Sequence, residues 1–393
     1  MVSEVEFTGF SRKEGGETKK QFTHQVSNLT ANTFLSGMQK AGQETSLLKR
    51  IGDNGVLLMK DFTSILSLGQ ETQTAVVGQM REIYDGHIRK ETGTGKTLEW
   101  RGKLGLIGGV TDGIYHVEEK FTQMGTRWLN YTLLEQDRQE TTRAALRNNL
   151  NIETIESDIK QQFSDFLSPI ISQDDLPMIP VPDDIIDDII VLSDFSAISR
   201  SPTMRDYRGR MTLNVSAEMP MRLAEQVQQI ISSLNYLYEG DLPRDTADYL
   251  VRKLTFDSIP KGRRIVLSTL ATIEAANSSG VAQRIGYPTS TTRQWLEDVA
   301  VRGLIRRTKA AGTADMWELT ENSRTIMEDY YGFKNTGKTV VKDGDSFGED
   351  DNYSAPGGIH MSDTLDEDEV EAIDNSNAAA EKEFNEWGNE DKK

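Results

Sequence analysis

Apolar residues follow two kinds of pattern along this chain. Up to about residue 133 they come largely in short continuous runs bounded by glycine and charge, and beyond that they recur mostly every three or four positions. Val56 to Met59, between Gly55 and Lys60-Asp61, predict a strand buried on both faces, as in a parallel sheet. KLGLIGGVT (103–111) predicts a second buried strand, and QFTHQVSNLT (21–30) a short one ending in polar residues. QETQTAVVGQMREIYDG (70–86) sets Val76, Val77, Met80, Ile83 and Tyr84 at amphipathic helix spacing. TANTFLSGMQK also has helix-like spacing, and residues 117–133 predict helix, turn and strand. Residues 134–170 are strongly helical in pattern, and SQDDLPMIPVP (172–182) breaks that pattern with proline. Further helices are expected over 183–201, 221–240, stopped by Gly240, and 244–258.

The stretch from Pro260 to Glu321 is the most informative. A helix over 262–276 would bury Ile265, Val266, Leu267 and Leu270. Ser278-Ser279 can cap a short second helix, GVAQRIG, which Gly286-Tyr287-Pro288 ends in a tight turn. Thr289 or Ser290 caps a third helix with Trp295, Leu296, Val299 and Leu304 spaced for packing. LIRRTKAAGTADMWELT then predicts strand, loop and strand. Helix–turn–helix followed by a β-hairpin is the winged-helix order of elements. In that arrangement Thr289, Ser290, Thr291, Thr292, Arg293 and Gln294 would face base edges in the major groove, and Arg306, Arg307 and Lys309 would meet phosphates. The alternative is a winged helix used for protein contact or as a lid.

Composition narrows the chemistry. The 393 residues suggest two to three domains. Mean hydropathy is −0.52, and the sequence has no run long enough to span a membrane and no apolar leader at its start, so a cytoplasmic protein with no membrane partner is expected. Zero cysteines exclude disulfides, thiol catalysis and Cys-ligated zinc. His24, His87, His116 and His360 have no ligand spacing. The net charge of −18 is uneven: residues 342–393 hold 17 acidic and 4 basic residues, a net of −13, and the rest of the chain carries the remaining −5. The tail from about 335 to 393 is too polar to bury a core and is expected to be disordered, as are residues 1–20. The body is nearly balanced, so the low overall pI does not oppose a local basic surface for DNA.

One stretch invites a nucleotide-binding reading. KETGTGKTLEW ends in Gly95-Lys96-Thr97, the close of a phosphate loop, G-x-x-x-x-G-K-[ST]. The first glycine would be residue 90, which is Lys90, and the flanking residues predict strands on both sides. The expectation is a β-hairpin with a Gly-Thr-Gly turn.

GVLLMKDFTSIL, REIYDGHIRKETGTGKTLEWRGKLGLIGGVTDGIY, MGTRWLNYTL and RSPTMRDYRGR, in that order, resemble a family of P-loop ATPases from phages and mobile elements, helicase-like or replication-initiator-like AAA+ proteins with a C-terminal winged helix. The resemblance covers roughly residues 21 to 330. It implies an incomplete AAA+-like α/β core (21–170), a helical lid (171–258), a winged-helix domain (259–334) and the acidic tail. It implies ATP and Mg²⁺, with Asp61 as the metal-holding acid, Thr111 as a sensor, Arg127 as an arginine finger or sensor, and a lid arginine among Arg200, Arg205, Arg208 and Arg210. The glutamate expected after Asp61 is replaced by Phe62, and Gly15-Gly16 in KEGGETKKQ do not satisfy the phosphate-loop motif. Three readings follow: the chain is the second half of a split ATPase, with a second polypeptide supplying that loop, or it is truncated, or it is degenerate. DNA and further copies of the chain are the other expected partners. Plain structural roles remain open: Asp61 as a helix cap, Thr111 as a strand end, Arg127 as a surface residue. The sequence thus predicts a DNA-transaction ATPase subunit. Its alternatives are a non-enzymatic winged-helix regulator on an ATPase scaffold, and an interaction protein whose acidic tail mimics or repels nucleic acid.

Overall fold

The computed structural model describes residues 11–14, 17–36, 39–40, 43–44, 46–92, 95–111, 127–133, 138–171, 179–205, 211–214, 216–308 and 315–340. It is a mixed α/β structure that divides into two compact units, residues 1–128 with 142–179, and residues 129–141 with 180–393. Two expectations of disorder fail in part: within residues 1–20, Ser11–Glu14 pairs antiparallel with Glu17–Gln21, and within the tail 335–393, residues 335–340 are ordered and end in a short strand, because each segment finds a strand to pair with. The rest of those two segments, and Arg208, Arg210 and Lys309, lie outside the described residues.

The first unit is built on three parallel strands, β1 (Thr23–Gln25), β2 (Asn54–Met59) and, later in the chain, Lys103–Gly108, in that order across the sheet. Leu57 and Met59 of β2 point into a core with Phe34, Leu35, Leu48, Ile51, Phe62 and Ile65. Helix α1 (Gln70–Tyr84) adds buried Val76, Val77, Met80 and Ile83, as its spacing predicts. Two expectations fail here. The strands are not buried on both faces: Val56 and Leu58 are half-buried, as are Leu104 and Leu106, and Ile107 is 65% exposed. A continuous apolar run does not distinguish one packed face from two. In TANTFLSGMQK, residues 30–36 form a turn rather than a helix, because Thr33 donates its amide to the Thr30 carbonyl and its hydroxyl accepts the Thr30 amide.

Gly95, Lys96 and Thr97 lie in a hairpin, as expected, and Gly93 and Thr94 lie outside the described residues. Strands β3 (His87–Glu91) and β4 (Thr97–Arg101) pair antiparallel from His87–Arg101 to Glu91–Thr97. The Thr92 amide donates to Lys96 O (2.9 Å), and Gly95 takes φ +75°, which favours glycine. Ile88 and Trp100 bury the inner face, and Trp100 Nε1 donates to Gly52 O at 2.7 Å. Gly102 joins the hairpin to β5 (Lys103–Gly108), where a Cβ would stand 2.2 Å from Asp53 O. Two exposed helices, α2 (Arg138–Asn148) and α3 (Ile152–Ile171), follow in the chain, as the pattern of 134–170 predicts.

The second unit starts with three mutually packed helices, α4 (Asp183–Arg200), α5 (Met221–Leu237) and α6 (Arg244–Asp257). They share one core, with Ile185, Ile189, Leu192 and Phe195 meeting Leu223, Val227, Ile231, Val251 and Leu254. Helix α7 (Lys261–Ala271) buries Ile265, Val266, Leu267 and Leu270 as predicted, but ends early. Residues 275–277 instead form strand β6 (Ala275–Asn277). Asn277, not Ser278 or Ser279, caps helix α8 (Ser278–Ile285), its Oδ1 accepting the Gly280 amide at 2.7 Å. Gly286 (φ +70°) makes the turn into α9 (Thr289–Val301), and Pro288 occupies the capping position expected of Thr289 or Ser290. Strands β7 (Ile305–Thr308) and β8 (Met316–Leu319) pair antiparallel, β8 pairs with β6, and β9 (Thr339–Val340) runs parallel to β6. The core of this segment, with Leu296, Val299, Trp317 and Met327, is continuous with that of α4–α6.

Candidate nucleotide and nucleic-acid sites

The sheet of the first unit brings Asp61 and Thr111 together. β2 and β5 are adjacent and parallel, so both residues follow strand C-termini, where ligands bind open α/β sheets. Phe62 N donates to Gly109 O (2.8 Å) and Gly109 N to Met59 O (2.9 Å), which holds the two loops in register. Thr63 links them: its hydroxyl lies 3.4 Å from Thr111 Oγ1 and accepts the Thr111 amide at 3.3 Å. Asp61 Oδ1 accepts the Thr63 amide at 2.9 Å, and Ser64 Oγ donates to Asp61 O. Asp61 thus steadies the start of the short helix Thr63–Leu66, the plain role the sequence left open.

Arg127 is not brought to this end of the sheet. Its guanidinium makes a two-point contact with Asp85, Nε to Oδ1 at 3.1 Å and Nη2 to Oδ2 at 2.8 Å, and lies 5.9 Å from the Tyr84 ring centre. Asp85 precedes Gly86, whose carbonyl accepts from Gly102 N at the start of β5. The length of that strand, about 20 Å at 3.3 Å per residue, separates this pair from Thr111. Trp128 instead reaches Phe62, with ring centres 5.4 Å apart.

The residues present do not fit ATP and Mg²⁺ by themselves. Gly95 serves a hairpin turn and Lys96 is exposed there. Lys90, where the motif needs glycine, donates to Ala31 O, Asn32 Oδ1 and Leu35 O, and burial holds its pKa below the usual lysine range. Among the described residues no three His, Cys, Asp or Glu side chains converge to hold a metal ion. Asp61 is one carboxylate beside two hydroxyls.

Arg205 is built into a buried ion network. Its Nη2 donates to Asp298 Oδ1 at 2.5 Å and to Gln294 O at 3.0 Å, and Nη1 lies 3.4 Å from Glu297. Asp298 also accepts from Thr203 Oγ1 (2.9 Å) and faces Arg263 Nη2 at 3.8 Å. Arg263 in turn donates to Ser199 O and Ser201 O, and Arg302 to Ser201 O and Pro202 O. This arrangement fastens α9 to the segment after α4. The resemblance implies a nucleotide-binding role for Arg205, and nothing in the sequence marks Asp298 as its partner. A lone aspartate in WLEDVAV (295–301) looks like an ordinary solvated position, and only its tertiary partners mark it.

Of the expected DNA-facing residues, Thr289, Ser290, Arg293 and Gln294 are exposed along one side of α9. They fall in two pairs four residues apart, which share a helix face. Thr292 does not join them: it is fully buried and turns toward the core with Leu296 and Val299. Arg293 Nε donates to Glu297 Oε1 at 3.2 Å with the side chain half exposed. Arg306 is well exposed, 3.6 Å from Glu318. Arg307 is half-buried, paired with Asp315 and stacked over Trp317, 5.2 Å from its ring centre. Tyr287 leans edge-on against Trp295 in the turn before α9. No helix among the described residues is long and apolar enough to cross a membrane. In comparisons with known proteins, no family model matches this chain and no curated protein matches it.

Proposed function

We propose that this chain is a DNA-binding subunit of a replication- or helicase-like assembly, contacting duplex DNA through a winged helix formed by α7–α9 and the β7–β8 hairpin. The observation that carries this reading is the exposed row Thr289, Ser290, Arg293 and Gln294 on the first turns of α9, with Arg306 exposed on the following hairpin. Polar side chains and a guanidinium at that position can reach base edges, while hairpin arginines meet phosphate. Arg307 contributes through Trp317 to the shape of the hairpin rather than as a phosphate ligand.

The test is fluorescence anisotropy with duplex DNA over a range of salt. Arg306→Ala should weaken binding to all sequences and reduce the salt slope by about 1. Arg293→Ala and Gln294→Ala should also blunt preference among sequences, each by about 1–3 kcal/mol at the base pair contacted. Binding that none of the three substitutions changes would refute the interface.

An AAA+-like role for the first unit is the finer part of the proposal. Asp61 and Thr111 follow neighbouring parallel strands, which supports the acid and sensor roles that the resemblance implies. A Gly-rich loop on another polypeptide would have to hold the triphosphate, and Mg²⁺ would then neutralise phosphate charge beside Asp61. No hydrolytic step is assigned to these residues. The second reading, a non-enzymatic regulator, is favoured by the Arg127–Asp85 pair, which occupies the candidate finger at the far end of the sheet. Equilibrium binding of a fluorescent ATP analogue to the purified chain, with Asp61→Ala as control, separates the two. Affinity tighter than about 100 μM that Asp61→Ala weakens would reject the regulator.

A further inference from the structure

Helix α3 (Ile152–Ile171) carries large apolar side chains in the open. Ile152, Ile155, Ile159, Phe163 and Phe166 are each between 36% and 52% exposed. At 3.6 residues per turn they fall within an arc of about 80° on one side of the helix. Single exposed apolar residues are ordinary on a protein surface, whereas a contiguous stripe marks an interaction face.

The stripe is a palindrome about Ile159. Ile155 and Phe163 each stand four residues from it, and Ile152 and Phe166 each stand seven. A stripe of that form matches itself when a second copy lies antiparallel across a two-fold axis at Ile159. Ile159 then meets its counterpart, Ile155 meets Phe163 of the other copy, and Ile152 meets Phe166. Each outer level sets one branched side chain against one ring, whereas parallel pairing would crowd ring against ring at two levels. The charges agree. A two-fold axis brings like flanks of the two helices together, and on one flank Glu156 of each copy comes beside Lys160 of the other. The opposite flank brings Asp158 beside Gln162, without facing like charges at that level. Antiparallel helix dipoles add to the match.

The polar side argues against a lipid surface. It carries Glu153, Glu156, Asp158 and Asp165 against Lys160 alone, whereas helices that lie in a membrane interface are rich in Lys and Arg. We propose that the chain self-associates as an antiparallel two-fold pair through α3. This is an isologous contact, the commonest kind in soluble oligomers. It does not depend on the nucleotide or DNA readings.

The absence of cysteine makes the test direct, because any thiol introduced is the only one in the chain. Helices packed 8–10 Å apart with a Cα radius of 2.3 Å bring facing Cα atoms to about 4–5 Å, within disulfide reach. Ile159→Cys in the full chain should therefore cross-link to a dimer under mild oxidation. Ser157→Cys, on the far side of the helix, should not. Ile152→Cys alone should stay monomeric on denaturing gels, since its two copies would lie about 21 Å apart along the axis. Mixed with Phe166→Cys chains, it should give the cross-linked pair. Sedimentation should show the unmodified chain passing from monomer to dimer between about 1 and 100 μM. Ile159→Glu should weaken this at least about tenfold, with circular dichroism unchanged. The proposal is overturned by a monomer throughout that range, by cross-linking of Ile152→Cys alone, by equal cross-linking at 157 and 159, or by a dimer indifferent to Ile159→Glu.

Discussion

Asp298→Ala probes the network that fixes α9. The carboxylate is 3% exposed and receives Arg205 at 2.5 Å and Thr203 at 2.9 Å, with Arg263 3.8 Å away. Removing one partner of a buried ion pair costs about 3–5 kcal/mol, because the remaining charge stays desolvated. Here the cations keep other acceptors. Arg263 still donates to Ser199 O and Ser201 O, and Arg205 to Gln294 O. Those bonds place the expected loss at the low end, about 3 kcal/mol. Followed by circular dichroism in urea, with a slope of about 2–3 kcal/mol/M, the midpoint should fall by about 1–1.5 M. A double-mutant cycle with Arg205→Met should give a coupling of at least about 1 kcal/mol, since the two side chains touch. Hydrogen exchange should quicken in α9 before it does in α4. A midpoint shift worth less than about 1 kcal/mol, or a coupling near zero, would refute the claim that this network anchors α9.

Other outcomes follow from single contacts. Tyr331 is buried, its hydroxyl 3.1 Å from Thr255 Oγ1, and burial pushes its pKa up to about 12. An unfolded tyrosine titrates near 10, so its contribution is complete below pH 10 and is lost as pH rises toward 12. The loss reaches about 2.7 kcal/mol, and Tyr331→Phe should flatten that limb of an alkaline denaturation curve. Part of the slope will remain, because burial also pushes Tyr249 up to about 12. Gly102→Ala should cost at least about 2 kcal/mol, since the new methyl meets Asp53 O, and a thermal melt read at Trp100 would detect it. Lys96→Ala should leave stability within about 0.5 kcal/mol of the parent in chemical denaturation. Loss of nucleotide-analogue binding in that variant would overturn the hairpin role of GTGKT.

Much of the architecture was legible because it rests on local pattern. The 3.6-residue spacing of Val76, Met80 and Ile83 and the apolar run at Leu57–Met59 each have one low-energy outcome near their own sequence. So do the glycine turn at 286 and the strands around Gly95. The order of elements from α7 to β8 was legible for the same reason. Local chemistry also misled in places. Thr30 and Thr33 close a turn where spacing suggested helix, and Asn277 outcompeted two serines for the cap. What the sequence could not supply were distances between residues far apart in the chain. Asp61 and Thr111 share one end of the sheet because β2 and β5 are parallel neighbours, whereas Arg127 is drawn to Asp85 at the other. Thr292 is buried although its neighbours Arg293 and Gln294 are exposed, because a 100° step per residue turns it to the core. Arg205 pairs with Asp298, 93 residues later, which no local pattern announces. Pattern along the chain decides which elements form, because backbone geometry and apolar spacing are local. The pairing of charges is a tertiary matter, since a buried ion is stabilised only by whatever the fold brings within a few ångströms.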